Sequence, residues 1–386
     1  MPTCRRAEFD LPDDVHFLNC AYMSPMSRAV EKAGLEGLAR KRRPYEILAR
    51  HFFDDSESAR ALFARLVGAP AERIAIVPSV SYAAAVVARN TKLERGQRIV
   101  IASEQFPSNV YAWRKLCAQR GGELVTVAPE AGSARRAESW NERLLAAIDE
   151  RTALVALANV HWADGTRFEL EALGARARSF GAALFVDGAQ SVGALPIDVE
   201  RVKPDALAAV GYKWLMGPYS LGYAYFGPRY DGGEPLEENW IARANSEDFR
   251  GLVSYRDEYQ PGARRFDMGE RSQLQAMPMA VAALEQVLAW GPANIQAYCS
   301  ALTERLVEAT APLGFRAETA TRRGGHLVGL RAPEGLDLDA LGAHLSAAKV
   351  HVSLRGNAVR VAPHVYNDER DIDALVEVLS RAVARR

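Results

Sequence analysis

The sequence is short of the residues that build metal and disulfide sites. It has only four cysteines and seven histidines in 386 residues. Cys4, Cys20, Cys117 and Cys299 lie far apart, with no pair at zinc or redox spacing. Four scattered thiols in a chain this long are not a disulfide framework, and free thiols fit a reducing compartment. No two histidines share a helix face in a His-Glu-x-x-His setting, so no metal is expected. No apolar run approaches the ~18 residues of a membrane span. The stretch carrying Arg5, Arg6, Glu8, Asp10, Asp13 and Asp14 lacks the apolar core of a signal peptide. A cytoplasmic location with no membrane partner is therefore expected. Net charge is missing as well, since 48 basic side chains balance 48 acidic ones. Bulk charge thus gives no reason to expect a nucleic-acid partner. Internal repeats, low-complexity tracts and a Gly-x-Gly-x-x-Gly loop are all absent, which leaves a dinucleotide site little support.

What is present is alternation. Apolar runs at Arg73–Val77, Arg98–Ala102, Glu123–Val127, Ala153–Ala158 and Ala182–Val186 read as strands. Amphipathic stretches at Ser81–Asn90, Asn109–Arg120, Asn141–Asp149 and Glu169–Phe180 read as the helices between them. The strands are continuously apolar, as in a parallel sheet buried on both faces. Leu170, Leu173, Ala177 and Phe180 share one helix face, and Gly181 follows where positive φ ends a helix. Further strands are expected at Ala206–Val210 and Leu221–Phe226, then an irregular segment over 228–270 and a helix over Met277–Trp290. A loop that long is uncommon and often functional. Beyond it come a strand at His326–Arg331, a helix at Leu336–Ala348 and a last helix with Asn367 as its N-cap. At ~150 residues per domain the length allows two or three domains. The expected division is an N-terminal segment (1–20), a large α/β domain (21–290) and a small C-terminal α+β domain (291–386).

The chemistry concentrates at two strand ends. Asp187 follows the run at Ala182–Val186, and Lys213 follows Ala206–Val210 in a turn bounded by Gly211 and Gly217. Both would reach the carboxyl edge of a parallel sheet, where ligands bind. A lysine can form a Schiff base with an aldehyde cofactor, and a carboxylate can keep a pyridine nitrogen protonated. Spacing alone also allows a helix-capping Asp and a surface Lys. Ser79 and Ser81 open a helix after a strand, which suits either an anion site or an ordinary N-cap. Phe106 can be a core residue or a ring-stacking one, and His161 a buried, satisfied histidine or a site residue.

Val186-Asp-Gly-Ala-Gln-Ser-Val-Gly193 and Gly211-Tyr-Lys-Trp-Leu-Met-Gly-Pro218 resemble the class V aminotransferase family of fold-type I enzymes dependent on pyridoxal 5'-phosphate (PLP). The family includes kynureninases, cysteine desulfurases and isopenicillin-N-epimerase-like proteins. The resemblance implies a mostly parallel central sheet in a large α/β domain and a small α+β domain. It makes Lys213 the Schiff-base and proton-shuttling lysine, and Asp187 the partner of the pyridinium nitrogen. Gln190 then bonds the phenolic oxygen. Ser79, Val80 and Ser81 form the phosphate cup, with Tyr212 as a further phosphate ligand. Gln105-Phe-Pro-Ser-Asn-Val-Tyr111 resembles a kynureninase stretch that stacks Phe106 on the cofactor. Asn357-Ala-Val-Arg-Val-Ala-Pro-His-Val-Tyr-Asn367 places Arg360 on the substrate α-carboxylate, with Asn19 as a second contact and Trp162 walling the pocket. Asn239-Trp240 and Arg264–Arg271 match a region that reaches the neighbouring subunit's phosphate, which implies a homodimer with shared active sites and adds Trp240 to the cofactor residues.

Departures narrow the activity. No cysteine lies between Gly314 and Arg360, where desulfurases carry their nucleophile. Gln190 stands where kynureninases have histidine, and Glu270 replaces a neutral residue. The expectation is an aminotransferase acting on a small amino acid. β-Elimination with C–S lysis and epimerisation are alternatives, and a noncatalytic binding protein is the alternative of another class.

Overall fold

In the computed structural model, residues 3–133 and 135–385 are described. Seven strands form the main sheet: β2 (Ile74–Val77), β3 (Arg98–Ala102), β4 (Glu123–Val127), β5 (Thr152–Ala158), β6 (Ala183–Asp187), β7 (Ala206–Val210) and β8 (Gly222–Phe226). Their spatial order is β2-β8-β7-β6-β5-β3-β4. Only β8 runs against its neighbours, so the sheet is mostly parallel and the α/β expectation holds.

Continuous apolarity explains the burial on both faces. In β3, Val100 and Ala102 enter one core cluster, while Ile99 and Ile101 enter the other on the opposite face. Period-2 alternation sends neighbours to opposite sides, and both sides are covered. The covering helices include α1 (Arg28–Arg40), α2 (Asp54–Val67), α3 (Val80–Asn90), α4 (Tyr111–Arg120), α5 (Arg136–Ala147), α6 (Leu170–Ser179), α7 (Val199–Val202) and α8 (Ala276–Trp290).

A second core forms around α9 (Pro292–Thr310), β9 (Val328–Arg331), α10 (Leu338–Ala347), β11 (Ser353–Arg355), β12 (Ala358–Val361) and α11 (Glu369–Ala384). Strands β9, β11 and β12 make an antiparallel sheet of three. Near the N-terminus, β1 (His16–Phe17) pairs in parallel with β10 (Val350–His351), and Leu18 is buried in this same core.

Several boundaries differ from the sequence expectation. Helix α5 begins at Arg136, so Asn141 lies inside it and bonds Ala137 O and Arg167 O. Buried Ala137 and Trp140 begin the inward face of this helix, which Leu144 continues. Helix α4 starts at Tyr111 because Pro107–Asn109 forms a separate 3-10 turn, with Asn109 Oδ1 accepting from Trp113 Nε1. The N-cap of α11 is Asp368 in a capping box with Asp371, not Asn367. Asn367 is spent on tertiary bonds to Phe17 O, Asp371 and His364 N. Gly181 has φ +74, as a helix end requires.

Between 228 and 270 the chain is irregular, with three 3-10 turns. A buried ion network holds it. Asp267 accepts from Arg60 Nη2 at 2.7 Å and from Ile76 N at 2.7 Å, and Arg271 Nε lies 3.2 Å away. Glu57 on α2 receives Arg60, Arg264 and Arg271.

Candidate active site

The carboxyl ends of β2, β3, β5, β6 and β7 open on one edge of the sheet, the ligand-binding edge of parallel α/β proteins. A cavity of about 340 Å³ lies there. Its walls include Ser79, Val80, Ser81, Phe106, Trp162, Asp187, Gln190, Tyr212 and Lys213, drawn from all five strand ends.

Lys213 is only 7% exposed and donates no side-chain hydrogen bond among the described residues. Burial, with Arg360 and Arg355 adding repulsion, lowers its pKa to about 8 against the opposing pull of Asp187. Its Nζ lies 5.5 Å from the ring centres of both Phe106 and Tyr212. Asp187 ends β6 and is 6% exposed. Burial pushes its pKa up, although the Ala189 N–H donates to Oδ1 at 2.9 Å. The two groups thus sit buried on one cavity, each driven away from its charged form.

The turn bearing Lys213 is held from behind. Gly193 has φ +107, and a Cβ there would stand 2.3 Å from Trp214 O. Only glycine lets the Asp187–Gly193 loop press this closely on the lysine turn. From the stretch before α1, Ser24 N donates to Tyr212 O at 3.0 Å.

The predicted residues divide by placement. Ser79 is the N-cap of α3, its Oγ accepting from Tyr82 N and lying 2.8 Å from Ser81 Oγ. Phe106 is 40% exposed and meets Trp162 edge-on at 5.5 Å. Gln190 Nε2 donates to Ala21 O, and its Oε1 accepts from Trp214 Nε1. One Nε2 hydrogen remains for a ligand. Arg360 and Asn19 do not line the cavity wall but connect to it. Arg360 donates to Trp162 O at 3.0 Å, Ser353 Oγ at 3.1 Å and Asn19 Oδ1 at 3.4 Å.

Trp240 stands away from the cavity of its own chain, and the sequence expectation assigns it to the phosphate of a neighbouring subunit. Its ring packs on Phe52, Phe53 and Phe249, brought to it from α2's approach and the irregular segment. His161 is a satisfied buried histidine, 3.0 Å from both Asp164 Oδ1 and Glu104 O. Gln105, Ser108, Tyr219 and Ser220 also line the cavity. Gly217-Pro218 just before Tyr219 was the turn signal for the last two.

Comparison with known proteins agrees with this architecture. An uncharacterized aminotransferase of Bacillus subtilis, YcbU, is 28% identical, with 86% of this chain and 85% of that one covered. Isopenicillin N epimerase of Streptomyces clavuligerus is 26% identical, with 83% of each covered. Among solved structures, the apo cysteine desulfurase of Thermococcus onnurineus superimposes with a TM-score of 0.84. It covers 99% of this chain and 98% of its own at 22% identity, a likeness of fold. The family model for aminotransferase class-V matches residues 29–375, and the chain belongs to that family.

Proposed function

We propose that the chain is a PLP enzyme that removes the α-proton of a small amino acid and completes amino-group transfer. The observation that carries this is the convergence, on one cavity, of a buried lysine, a buried carboxylate and a helix start. Among the described residues the Asp187 carboxylate accepts from the Ala189 N–H with Lys213 as the cation that acts on it, and Lys213 Nζ donates no hydrogen bond. Such a pair fits a group with a protonated ring nitrogen at one end and an aldehyde carbon at the other. The start of α3, with its free amides and two hydroxyls, fits the phosphate.

When bound, the cofactor supplies an electron-withdrawing ring that stabilises negative charge at the substrate α-carbon. Lys213 Nζ would hold it covalently and take and return the α-proton, a task suited to a group titrating near pH 8. Asp187 would keep the ring nitrogen protonated, Phe106 would cover the ring, and Gln190 and Tyr212 would add hydrogen bonds. Arg360, oriented by Asn19 and Ser353, would grip the α-carboxylate.

A desulfurase reading loses support from the thiols. No cysteine lines the cavity. Burial pushes Cys20 up to about 12 and Cys299 well above its ordinary value, so neither offers a thiolate. The relative named as an epimerase favours epimerisation as the second reading, with β-elimination sharing the same first proton transfer. A homodimer with shared active sites in the cytoplasm completes the proposal. Exposed Tyr22, Met23, Met26, Leu35, Leu38 and Tyr45 support an apolar contact with a second copy.

The test is a panel of amino acids given to the loaded protein. One equivalent of 2-oxo acid per site marks amino transfer, multiple turnovers to pyruvate and ammonia mark elimination, and inverted configuration marks epimerisation. Lys213→Ala should abolish the visible absorbance of the loaded protein. Asp187→Asn should keep the cofactor and slow α-deuterium exchange by at least ~100-fold. No exchange into any amino acid by the wild type would return the chain to a noncatalytic binding role.

A further inference from the structure

Two guanidinium groups stand over the candidate site without an acid. Arg360, on β12, is 2% exposed and bonds only neutral oxygens. Arg355 ends the neighbouring strand β11, and its Cζ lies 5.6 Å from the centre of the Trp162 ring. Its Nη1 donates to Leu354 O, again a neutral acceptor. The Nε of each arginine is buried and unpartnered. Among the described residues neither has a carboxylate within 4 Å, whereas nearby arginines do. Arg331 pairs with Glu318, and Arg136 with Glu104 and Asp164.

Trp162 links the pair to the cavity. Its carbonyl holds Arg360, its ring carries Arg355, and its side chain lines the wall that also bears Lys213. Burial together with repulsion from Arg355 brings Arg360 down to about 10. Two cations in one low-dielectric corner repel, and an anion arriving there relieves both. One carboxylate fills one guanidinium fork in bidentate fashion, which leaves the other fork open. Arg355 is the more accessible of the two, so it is placed to meet the substrate's side chain.

Building on the amino-acid reading above, we propose that Arg355 and Arg360 together select an amino acid with a second carboxylate, making amino dicarboxylic acids the substrate class. Arg360 takes the α-carboxylate and Arg355 the side-chain carboxylate.

Calorimetric titration of the loaded protein tests this with probes that need no turnover. Succinate and glutarate carry two carboxylates; butyrate carries one on a similar chain. The wild type should bind the dicarboxylates roughly 10- to 100-fold more tightly, the worth of one charge-assisted pair. Arg355→Gln should erase that advantage and leave butyrate within about twofold of the wild type. Arg355→Lys, which keeps charge but not the fork, should restore part of it. Arg360→Gln should weaken both kinds of probe. Equal binding of succinate and butyrate by the wild type overturns the assignment, as does an Arg355→Gln protein that loses both equally. Uptake of PLP, read from visible absorbance, separates the two levels. A protein that loads PLP but ignores the second carboxylate sinks only this inference, and one that takes up no PLP sinks the proposed function beneath it.

Discussion

At the level of single side chains, burial acts on Lys213 and Asp187 in opposite senses, and both effects disfavour charge. For Lys213 the consequence is a cost carried by the cofactor-free fold. Its pKa falls from 10.5 to about 8, so between those values the unfolded chain holds a proton that the fold does not. The penalty is complete below pH 8 and fades as pH rises toward 10.5. It amounts to about 3 kcal/mol. Lys213→Met should therefore stabilise the cofactor-free protein near pH 7, and the gain should shrink by pH 9.5. Urea denaturation at the two pH values checks this, and a gain independent of pH would contradict it. Asp187, Gln190 and Lys213 were legible because each sits in a short local pattern at a strand end. Arg355 was not, since its lack of an acid depends on where Glu318 and Asp164 fold. The packing of Trp240 was hidden for the same reason: its partners Phe52 and Phe53 are remote in sequence.

At the level of elements, the sequence expectation was surest for the strands, whose unbroken apolar runs have one buried solution. It was weakest at helix starts, where Asn141 was read as the first residue of a helix that begins at Arg136, and Asn367 was read as a cap but holds Phe17 O. The irregular segment had no local signal for its shape, because that shape comes from Asp267 meeting Arg60 of α2. Both side chains are fully buried there, and Arg271 joins them. Removing one partner of a buried ion pair strands the other. Asp267→Asn leaves Arg60 and Arg271 with Glu57 alone and takes a charged acceptor from Ile76 N. The expected loss is about 3–5 kcal/mol in urea denaturation. Pairing Arg60→Met with Asp267→Leu should cost less than Asp267→Asn alone, because the fully buried Arg60 charge leaves with its partner and Arg271 no longer shares Glu57 with it. A loss below ~1 kcal/mol for the single change would mean that the network does not hold the segment.

At the level of the whole molecule, the chain's two ends are knitted behind the cavity. The N-terminal segment pairs with β10, Asn367 holds Phe17 O, and Leu18 fills the C-terminal core. Two histidines lie at this junction. His326 Nε2 lies 2.7 Å from Gln190 O, which ties the C-terminal part to the Asp187 loop. His364 packs among Trp214, Trp290 and Tyr366, with neither ring nitrogen hydrogen-bonded. Burial lowers their pKa values to about 4 and about 3, and in His364 the neighbouring His326 adds to the effect. The other titratable groups around them, Cys20, Cys299 and Tyr366, are pushed up and stay neutral in acid. Arg323 near His326 is lowered by burial but far from titrating in this range. As pH falls below about 6.5, the unfolded chain binds protons that the folded histidines refuse, so stability falls with pH. Each histidine should withdraw about 2 kcal/mol by pH 5. His364→Phe keeps the aromatic stack and removes one of the two titrations. The drop in urea midpoint between pH 7.5 and pH 5 should therefore be clearly smaller in the variant than in the wild type. Equal drops would mean that His364 takes up its proton without opening the fold, and the junction would not be the point at which acid unlocks the molecule.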